Sequence, residues 1–322
     1  MARPLVIVTR RLPESVERQL AAAFDVRLNP TDIPSTPDSL ADALREADGV
    51  LCTVTDRVSA EVIASTPRRA RILANFGVGY NHIDVGAARA AGIAVTNTPG
   101  VLTDDTADLV MALMLAAARR TGEGERLLRA GAWSGWRPTQ LLGTRVTGKV
   151  LGIVGLGRIG RAVAERARLG FGMKILAYSP SLNAGAEAAP GVTACDSLDA
   201  LLAASDFVSL HCPATPGTRH LINARALSCM RPEAILVNTS RGEVVDEAAL
   251  ADALERRVIA AAGLDVYERE PDVPAALLRL DNVVLLPHLG SATTDTRIAM
   301  GERALANLVA FFHDGTPPDR VV

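Results

Sequence analysis

Arg241 follows an apolar run, with Asn238-Thr239-Ser240 before it and Gly242 after it. Its planar guanidinium can grip a carboxylate oxygen and a neighbouring carbonyl oxygen together. His288 follows another apolar run, directly after Pro287 and before Gly290-Ser291, and of the five histidines it is the best placed to give a proton. A general acid must be protonated near neutral pH, and an adjacent carboxylate favours the imidazolium form. Glu268 and Glu270 both offer that carboxylate, and spacing alone does not choose between them. His82 and His211 read as structural imidazoles, and His220 and His313 as ordinary helix or surface positions. A cation for a carboxylate and its neighbouring carbonyl, with a proton donor beside it, is what reduction of a 2-oxo acid requires as hydride arrives.

The segment Lys149-Val150-Leu151-Gly152-Ile153-Val154-Gly155-Leu156-Gly157-Arg158-Ile159-Gly160 indicates where such a hydride would come from. An apolar, β-branched run ends in Gly-x-Gly-x-x-Gly and continues at helical spacing, which is the pattern of a dinucleotide pyrophosphate turn. Gly155 permits the tight turn, Gly157 lets the cofactor approach, and Gly160 lets the helix pack on its strand, with the helix N-terminus facing the anion. About twenty residues further on, an NAD-specific domain usually places an acid on the ribose hydroxyls. Here the residues are Tyr178-Ser179-Pro180-Ser181. No carboxylate stands there to repel a 2′-phosphate, and Ser179, Ser181 and Asn183 could donate to one; Arg158 is the nearby cation. The expected cofactor is NADP or NAD, with NADPH favoured. The second glycine pair, Gly77-Val78-Gly79, is not such a turn, because His82 falls where the third glycine would stand.

These residues need strands that end at one edge. Before the glycine turn, apolar runs at 5–9, 50–52, 72–75 and 93–97 alternate with helix-like stretches such as 15–23 and 85–91, giving one α/β unit. From the turn onward, runs at 149–154, 174–178, 207–211, 234–239, 261–266 and 283–286 suggest six strands buried on both faces, the count of a dinucleotide-binding sheet. Residues 107–120 read as a well-buried helix, 133–138 as a loop and 295–312 as a closing amphipathic helix.

Several ordered motifs together resemble the D-isomer-specific 2-hydroxyacid dehydrogenase family, most closely its glyoxylate and hydroxypyruvate reductases. They are Asn75-Phe76-Gly77-Val78-Gly79-Tyr80-Asn81-His82-Ile83-Asp84, Thr96-Asn97-Thr98-Pro99-Gly100 with Thr106-Ala107-Asp108, Trp136-Arg137-Pro138, the glycine turn, Asn238-Thr239-Ser240-Arg241-Gly242, Asp265-Val266-Tyr267-Glu268-Arg269-Glu270-Pro271 and Pro287-His288-Leu289-Gly290-Ser291. The resemblance implies an α/β chain of two Rossmann-like or flavodoxin-like domains. Residues 1–100 and 288–322 would form the substrate (catalytic) domain, with an NAD(P)-binding Rossmann domain, 101–287, inserted into it.

In the family pattern the acid immediately precedes the proline, which selects Glu270 as the partner of His288 and completes a catalytic set with Arg241. Gly77, Val78 and Gly79 resemble the family's substrate loop, whose backbone N–H groups face the carboxylate. Thr55, Leu102 and Thr103 would line the same pocket, and Trp136 would reach toward a partner's pocket in a homodimer. Cys212-Pro213 would border the adenine, Asp265 the nicotinamide carboxamide and Thr106 the inner ribose or phosphates. Thr218, Thr239, Ser240, Arg241, His288 and Gly290 would complete the cofactor contacts.

Composition limits the alternatives. Lys and Arg number 34 against 36 acids, for a net charge of -2, which gives no basic surface for nucleic acid. The N-terminal stretch has no long apolar region or cleavage site, and no run reaches membrane length, so a soluble cytoplasmic protein is expected. Cys52, Cys195, Cys212 and Cys229 lack metal-ligand spacing and read as reduced thiols, with no metal site expected. The alternative enzyme reading is a phosphoglycerate or other D-2-hydroxyacid dehydrogenase, without the extra regulatory domains of the long phosphoglycerate enzymes. Formate dehydrogenases put an amide where this chain has Glu270. A remote alternative is a nucleotide-sensing scaffold like the C-terminal-binding corepressors.

Overall fold

A computed structural model of the chain describes residues 3–65, 67–182 and 187–322. The described chain divides into two compact units, 1–102 with 292–322, and 103–291. The sequence joints at 100/101 and 287/288 lie slightly outside this division. At the second joint the reason is local: the N–H groups of Leu289 and Gly290 donate to the Asp265 carboxylate, which keeps His288 and Gly290 with the second unit.

The first unit holds a parallel sheet of β1 (Leu5–Val8), β2 (Asp25–Arg27), β3 (Gly49–Thr53), β4 (Ile72–Phe76) and β5 (Ala94–Thr96). Its order, β2-β1-β3-β4-β5, is the flavodoxin-like order. β3, β4 and β5 are buried along their whole length, as strands covered on both faces must be. Two apolar clusters, one around Leu44, Val50 and Leu73 and one around Val16, Leu51 and Leu308, fill the layers under the helices. β2 is absent from the strands that the sequence pattern predicts. It is a three-residue edge strand of Asp-Val-Arg with both ends exposed, so it has no apolar run to betray it.

The second unit contains β6 (Val150–Val154), β7 (Lys174–Tyr178), β8 (Glu187–Ala189), β9 (Val192–Ala194), β10 (Phe207–Leu210), β11 (Ile235–Asn238), β12 (Ala261–Leu264) and β13 (Val283–Leu285). The sheet order is β13-β12-β11-β10-β6-β7-β9-β8, with every pair parallel except β8 with β9. Without the antiparallel edge strand, β9-β7-β6-β10-β11-β12 is the dinucleotide-domain order, extended by β13. The six expected strands are present, but eight form the sheet. β9 supplies the third position of the order, and its Val-Thr-Ala sequence is too short to stand out. The helix Thr103–Ala118 packs against the helix Arg158–Phe171 and against β11 and β12. Its buried residues include Ala107, Val110, Leu113 and Met114, which explains its apolar composition. The loop 131–149 and the helix Thr294–Asp314 also lie where the pattern placed them. Among the described residues no helix is long and apolar enough to cross a membrane.

Candidate active site

The glycine turn lies at the carboxyl end of β6, where the strand order reverses toward β10. Gly155 takes φ +95°, and a Cβ there would come within 2.8 Å of the Cys212 nitrogen in the loop just after β10. A Cβ on Gly160 would stand 2.4 Å from the Gly155 carbonyl oxygen, so only glycine lets the helix Arg158–Phe171 start this close to its strand. Above Gly157 a Cβ would meet nothing within 4 Å, and no side chain caps the helix N-terminus. A tight turn, open space and uncapped N–H groups fit a pyrophosphate. Arg158 is exposed, while the Ile159 side chain packs into the apolar cluster and leaves only its backbone to the turn.

At the end of β7, the Ser179 and Ser181 hydroxyls lie 3.3 Å apart beside an exposed Pro180. Asn183 lies outside the described residues. The loop after β10 is tied to itself, with the Thr218 hydroxyl donating to the Pro213 carbonyl at 2.6 Å and accepting from Thr215 N–H at 2.8 Å. Burial lifts the Cys212 thiol to about 11 and pushes the His211 imidazole down to about 4, which keeps both neutral near pH 7; His211 Nε2 meets the Ser209 hydroxyl at 2.9 Å.

The acid–base residues lie at the same edge of the sheet. Asn238, the last residue of β11, is buried and ties the turn that follows: its Nδ2 donates to the Arg241 carbonyl at 2.9 Å, and its Oδ1 accepts from Ser240 N–H at 3.0 Å and Ser240 Oγ at 2.8 Å. Thr239, between them, is half-buried. The Arg241 Nη1 donates to the Ser240 carbonyl at 2.6 Å. Burial lowers the Arg241 guanidinium from its usual value, against the charges of Glu243 and Glu270, which raise it. Gly242 permits this arrangement. A Cβ on it would lie 1.9 Å from the Tyr267 carbonyl carbon and 2.2 Å from the Glu268 nitrogen, so the Arg241 turn and the acid-bearing loop can touch only through a glycine.

The geometry separates the two glutamates. Glu270 Oε2 accepts from His288 Nδ1 at 2.8 Å, and its Oε1 accepts from Tyr267 N–H at 3.1 Å. Glu268 meets Arg219 at 2.5 Å and His220 Nε2 at 3.3 Å. His220, at φ 48°, is therefore within hydrogen-bond reach of the Glu268 carboxylate. Burial would raise the Glu270 carboxyl, but the hydrogen bond and charge of His288, then Tyr267 N–H and the Arg241 charge, hold it below the usual carboxylate range. An ionised carboxylate only accepts, so Nδ1 carries the proton in this pair and Nε2 is the ring nitrogen left for exchange.

His288 sits at φ 55°, a left-handed conformation uncommon for a non-glycine residue. The surrounding loop holds it there. His288 N–H donates to the Asp265 carbonyl at 2.9 Å, Leu289 N–H to Asp265 Oδ1 at 2.6 Å, and Gly290 N–H to Asp265 Oδ2 at 2.8 Å. The Thr106 hydroxyl donates to the Gly290 carbonyl at 2.9 Å. Asp265 and Thr106, expected as cofactor contacts, are thus both buried members of a clamp on the histidine loop. Burial lifts the Asp265 carboxyl above its usual range, although Leu289 N–H, the His288 charge and Gly290 N–H pull the other way. Tyr267, which the sequence reading did not single out, braces the loop by donating its hydroxyl to the Leu286 carbonyl at 2.9 Å; burial and the Asp265 charge push that phenol up to about 12.

In the first unit, Gly77-Val78-Gly79 leaves the carboxyl end of β4. Thr55 follows β3, its hydroxyl 3.0 Å from Thr53 Oγ1 and accepting from Arg10 Nη1 at 3.0 Å. Leu102 packs against the apolar cluster of that unit. Thr103 opens the helix Thr103–Ala118, and Trp136 is 79% exposed on the loop 131–149. Among the described residues no cluster of three metal-ligating side chains occurs.

Residues 111–290 match the family described as D-isomer specific 2-hydroxyacid dehydrogenase, NAD binding domain. A glyoxylate reductase of Thermococcus litoralis is 46% identical over 323 residues, covering 99% of this chain and 97% of its own. Among solved structures, a D-isomer specific 2-hydroxyacid dehydrogenase from Polaromonas superposes with a TM-score of 0.91 at 38% identity, covering 99% of this chain and 100% of that one. An NADPH-dependent glyoxylate/hydroxypyruvate reductase from Sinorhizobium meliloti, solved with NADP and malonate, superposes with a TM-score of 0.88 at 36% identity, covering 100% and 97%.

Proposed function

The chain belongs to the D-isomer-specific 2-hydroxyacid dehydrogenase family, and from that premise we propose that it reduces a small 2-oxo acid, glyoxylate or hydroxypyruvate, to glycolate or the D-2-hydroxy acid with NADPH or NADH. The observation that carries this reading is the Glu270–His288 pair at 2.8 Å, in a loop whose close approach to Gly242 brings it beside Arg241. A nicotinamide dinucleotide held at the glycine turn 155–160 would supply the hydride. Arg241 holds the carboxylate and polarises the adjacent carbonyl with its planar fork. His288 Nε2 gives its proton to the carbonyl oxygen as negative charge develops there, and Glu270 stabilises the imidazolium that must exist before transfer. The family resemblance gives the carboxylate to the backbone of the loop 77–80, whose Val78, Gly79 and Tyr80 N–H groups have no protein acceptor among the described residues, and makes Thr55, Leu102, Thr103 and Trp136 substrate-binding residues.

The cofactor preference belongs to the same reading. The serine pair and Pro180 at the end of β7 carry no acid to repel a 2′-phosphate, which favours NADPH. The same reading makes the molecule a cytoplasmic homodimer. The loop 131–149 and its flanking helix expose Leu128, Trp133, Trp136 and Leu142, at 60%, 51%, 79% and 66%, and a second copy of the chain is the occupant that would cover them. All four cysteines are free thiols, in keeping with a reducing compartment.

The test is a panel of 2-oxo acids assayed with each reduced cofactor, with chiral analysis of the products. Glyoxylate and hydroxypyruvate should give the highest kcat/KM, NADPH should equal or exceed NADH, and chiral products should be of the D series. Preference for a bulky oxo acid, or an L product, would overturn the reading.

A further inference from the structure

We infer that Asn75 and Asn97 are positioning residues that turn the backbone of the substrate loop into an anion cradle. The inference rests on the proposed role of 77–79 in holding the carboxylate. Asn75 is fully buried, and its Nδ2 donates to two carbonyls of the loop, Gly77 and Gly79, each at 3.0 Å. The Gly77 carbonyl also accepts from Thr98 N–H at 3.0 Å. Asn97 Nδ2, nineteen residues away in sequence, donates to the carbonyl between them, Val78, at 2.9 Å. All three consecutive carbonyls are therefore held by side-chain amides.

A trans peptide is planar, with its N–H opposed to its C=O. Fixing the carbonyls of Gly77, Val78 and Gly79 thus fixes the N–H groups of Val78, Gly79 and Tyr80 in the opposite sense, away from the two asparagines. Among the described residues none of these three N–H groups has a protein acceptor. Consecutive N–H groups without internal partners form a concavity that attracts an anion. Both the residue type and the amide orientation are then set by donation. An aspartate in either place would oppose carbonyl oxygens with a charge, and a flipped Asn75 would face two carbonyls with its own oxygen. Asn75 Oδ1 is buried without a partner, so the side chain is retained there for its donor end.

The test uses the full-length protein with NADPH bound, and compares glyoxylate with its neutral analogue glyoxylamide in the wild type, Asn97→Ala and Asn97→Asp. The aspartate variant keeps shape and volume, so it guards against loss of fold, which thermal melting checks. Both variants should raise KM for glyoxylate by about tenfold or more at neutral pH, the effect of losing a hydrogen bond that orients a charged ligand site. KM for glyoxylamide should stay within about twofold, and kcat should fall less than KM rises. For Asn97→Asp alone, the KM ratio to wild type should fall as pH is lowered from about 7 to about 5, where the carboxyl regains the proton with which it can donate to Val78. An unchanged glyoxylate KM, or an equal rise for both substrates, would overturn the positioning role. A wild type that does not distinguish glyoxylate from glyoxylamide would instead overturn the carboxylate reading of the loop, and the inference with it.

Discussion

Two loops at the carboxyl edge of the larger sheet do opposite kinds of structural work. The turn 155–160 is built mainly from contiguous residues, three glycines with one strand before and one helix after, and meets a distant segment only where Gly155 passes His211 and Cys212. The loop 286–290 is built from residues far off in sequence, since Thr106, Asp265 and Glu270 hold its backbone and its histidine ring. The first is limited by space and the second by partners. A methyl group added to the turn is decisive or harmless according to the distance of one atom. In the histidine loop, removing a single acceptor matters more than removing volume.

The largest effect should come from the ring that the second loop exists to present. His288→Asn removes the imidazole but suits the left-handed backbone, which asparagine adopts more readily than most residues. Turnover should fall by about 100-fold to 10,000-fold while NADPH affinity and melting temperature stay near wild type. Steady-state kinetics beside fluorescence titration of the cofactor measure both. Near-normal turnover would remove His288 from the chemistry.

The turn can be tested by two alanines three residues apart. Gly160→Ala drives a methyl into the Gly155 carbonyl oxygen and should cost about 1–3 kcal/mol of stability by denaturant melting, with cofactor binding weakened as well. Gly157→Ala meets open space, so stability should change by no more than about 0.5 kcal/mol while cofactor affinity still drops, because the methyl occupies the room left for the pyrophosphate. Equal destabilisation by both would break the steric half of the comparison.

The smallest effect is one of pH. Glu270 is held below the usual carboxylate range by His288, so the pair's contribution is present above the unfolded carboxyl value and is lost as pH falls through the lower folded one. Glu270→Gln should therefore be less stable than wild type at neutral pH, with the difference closing in acid. Its alkaline limb for oxo-acid reduction should move to lower pH, because the imidazolium has lost its counter-charge. Glu268→Gln, which touches Arg219 and His220 instead, should leave that limb in place. A pH–rate profile of the three proteins decides between the glutamates, and an equal shift in both variants would sink the pairing.

Particular residues show how far the chain could be read without its fold. The strands β10, β11 and β12 announce themselves as largely apolar runs because both faces are covered. β2 and β9 are three residues each and stay silent. Asp265 and Thr106 stand in recognisable motifs, yet those motifs say nothing of the clamp they form on loop 286–290. Gly242 follows Arg241 in the sequence, but the backbone of Tyr267 that it admits is not visible there.

By itself the sequence determined what depends on neighbours along the chain: the glycine turn with its strand and helix, the apolar strands, the buried helix read at 107–120, and the residue types able to hold a carboxylate and give a proton. These follow from local sterics and periodicity, which act over a few residues. The tertiary structure alone decided what depends on a hydrogen bond between distant segments. It put Glu270 rather than Glu268 on His288, gave the oxygens of Asp265 to Leu289 and Gly290, and turned the carbonyls of 77–79 onto Asn75 and Asn97. Two carboxylates two residues apart are chemically alike along the chain. They become different only when the surrounding loops fix which donor each one meets.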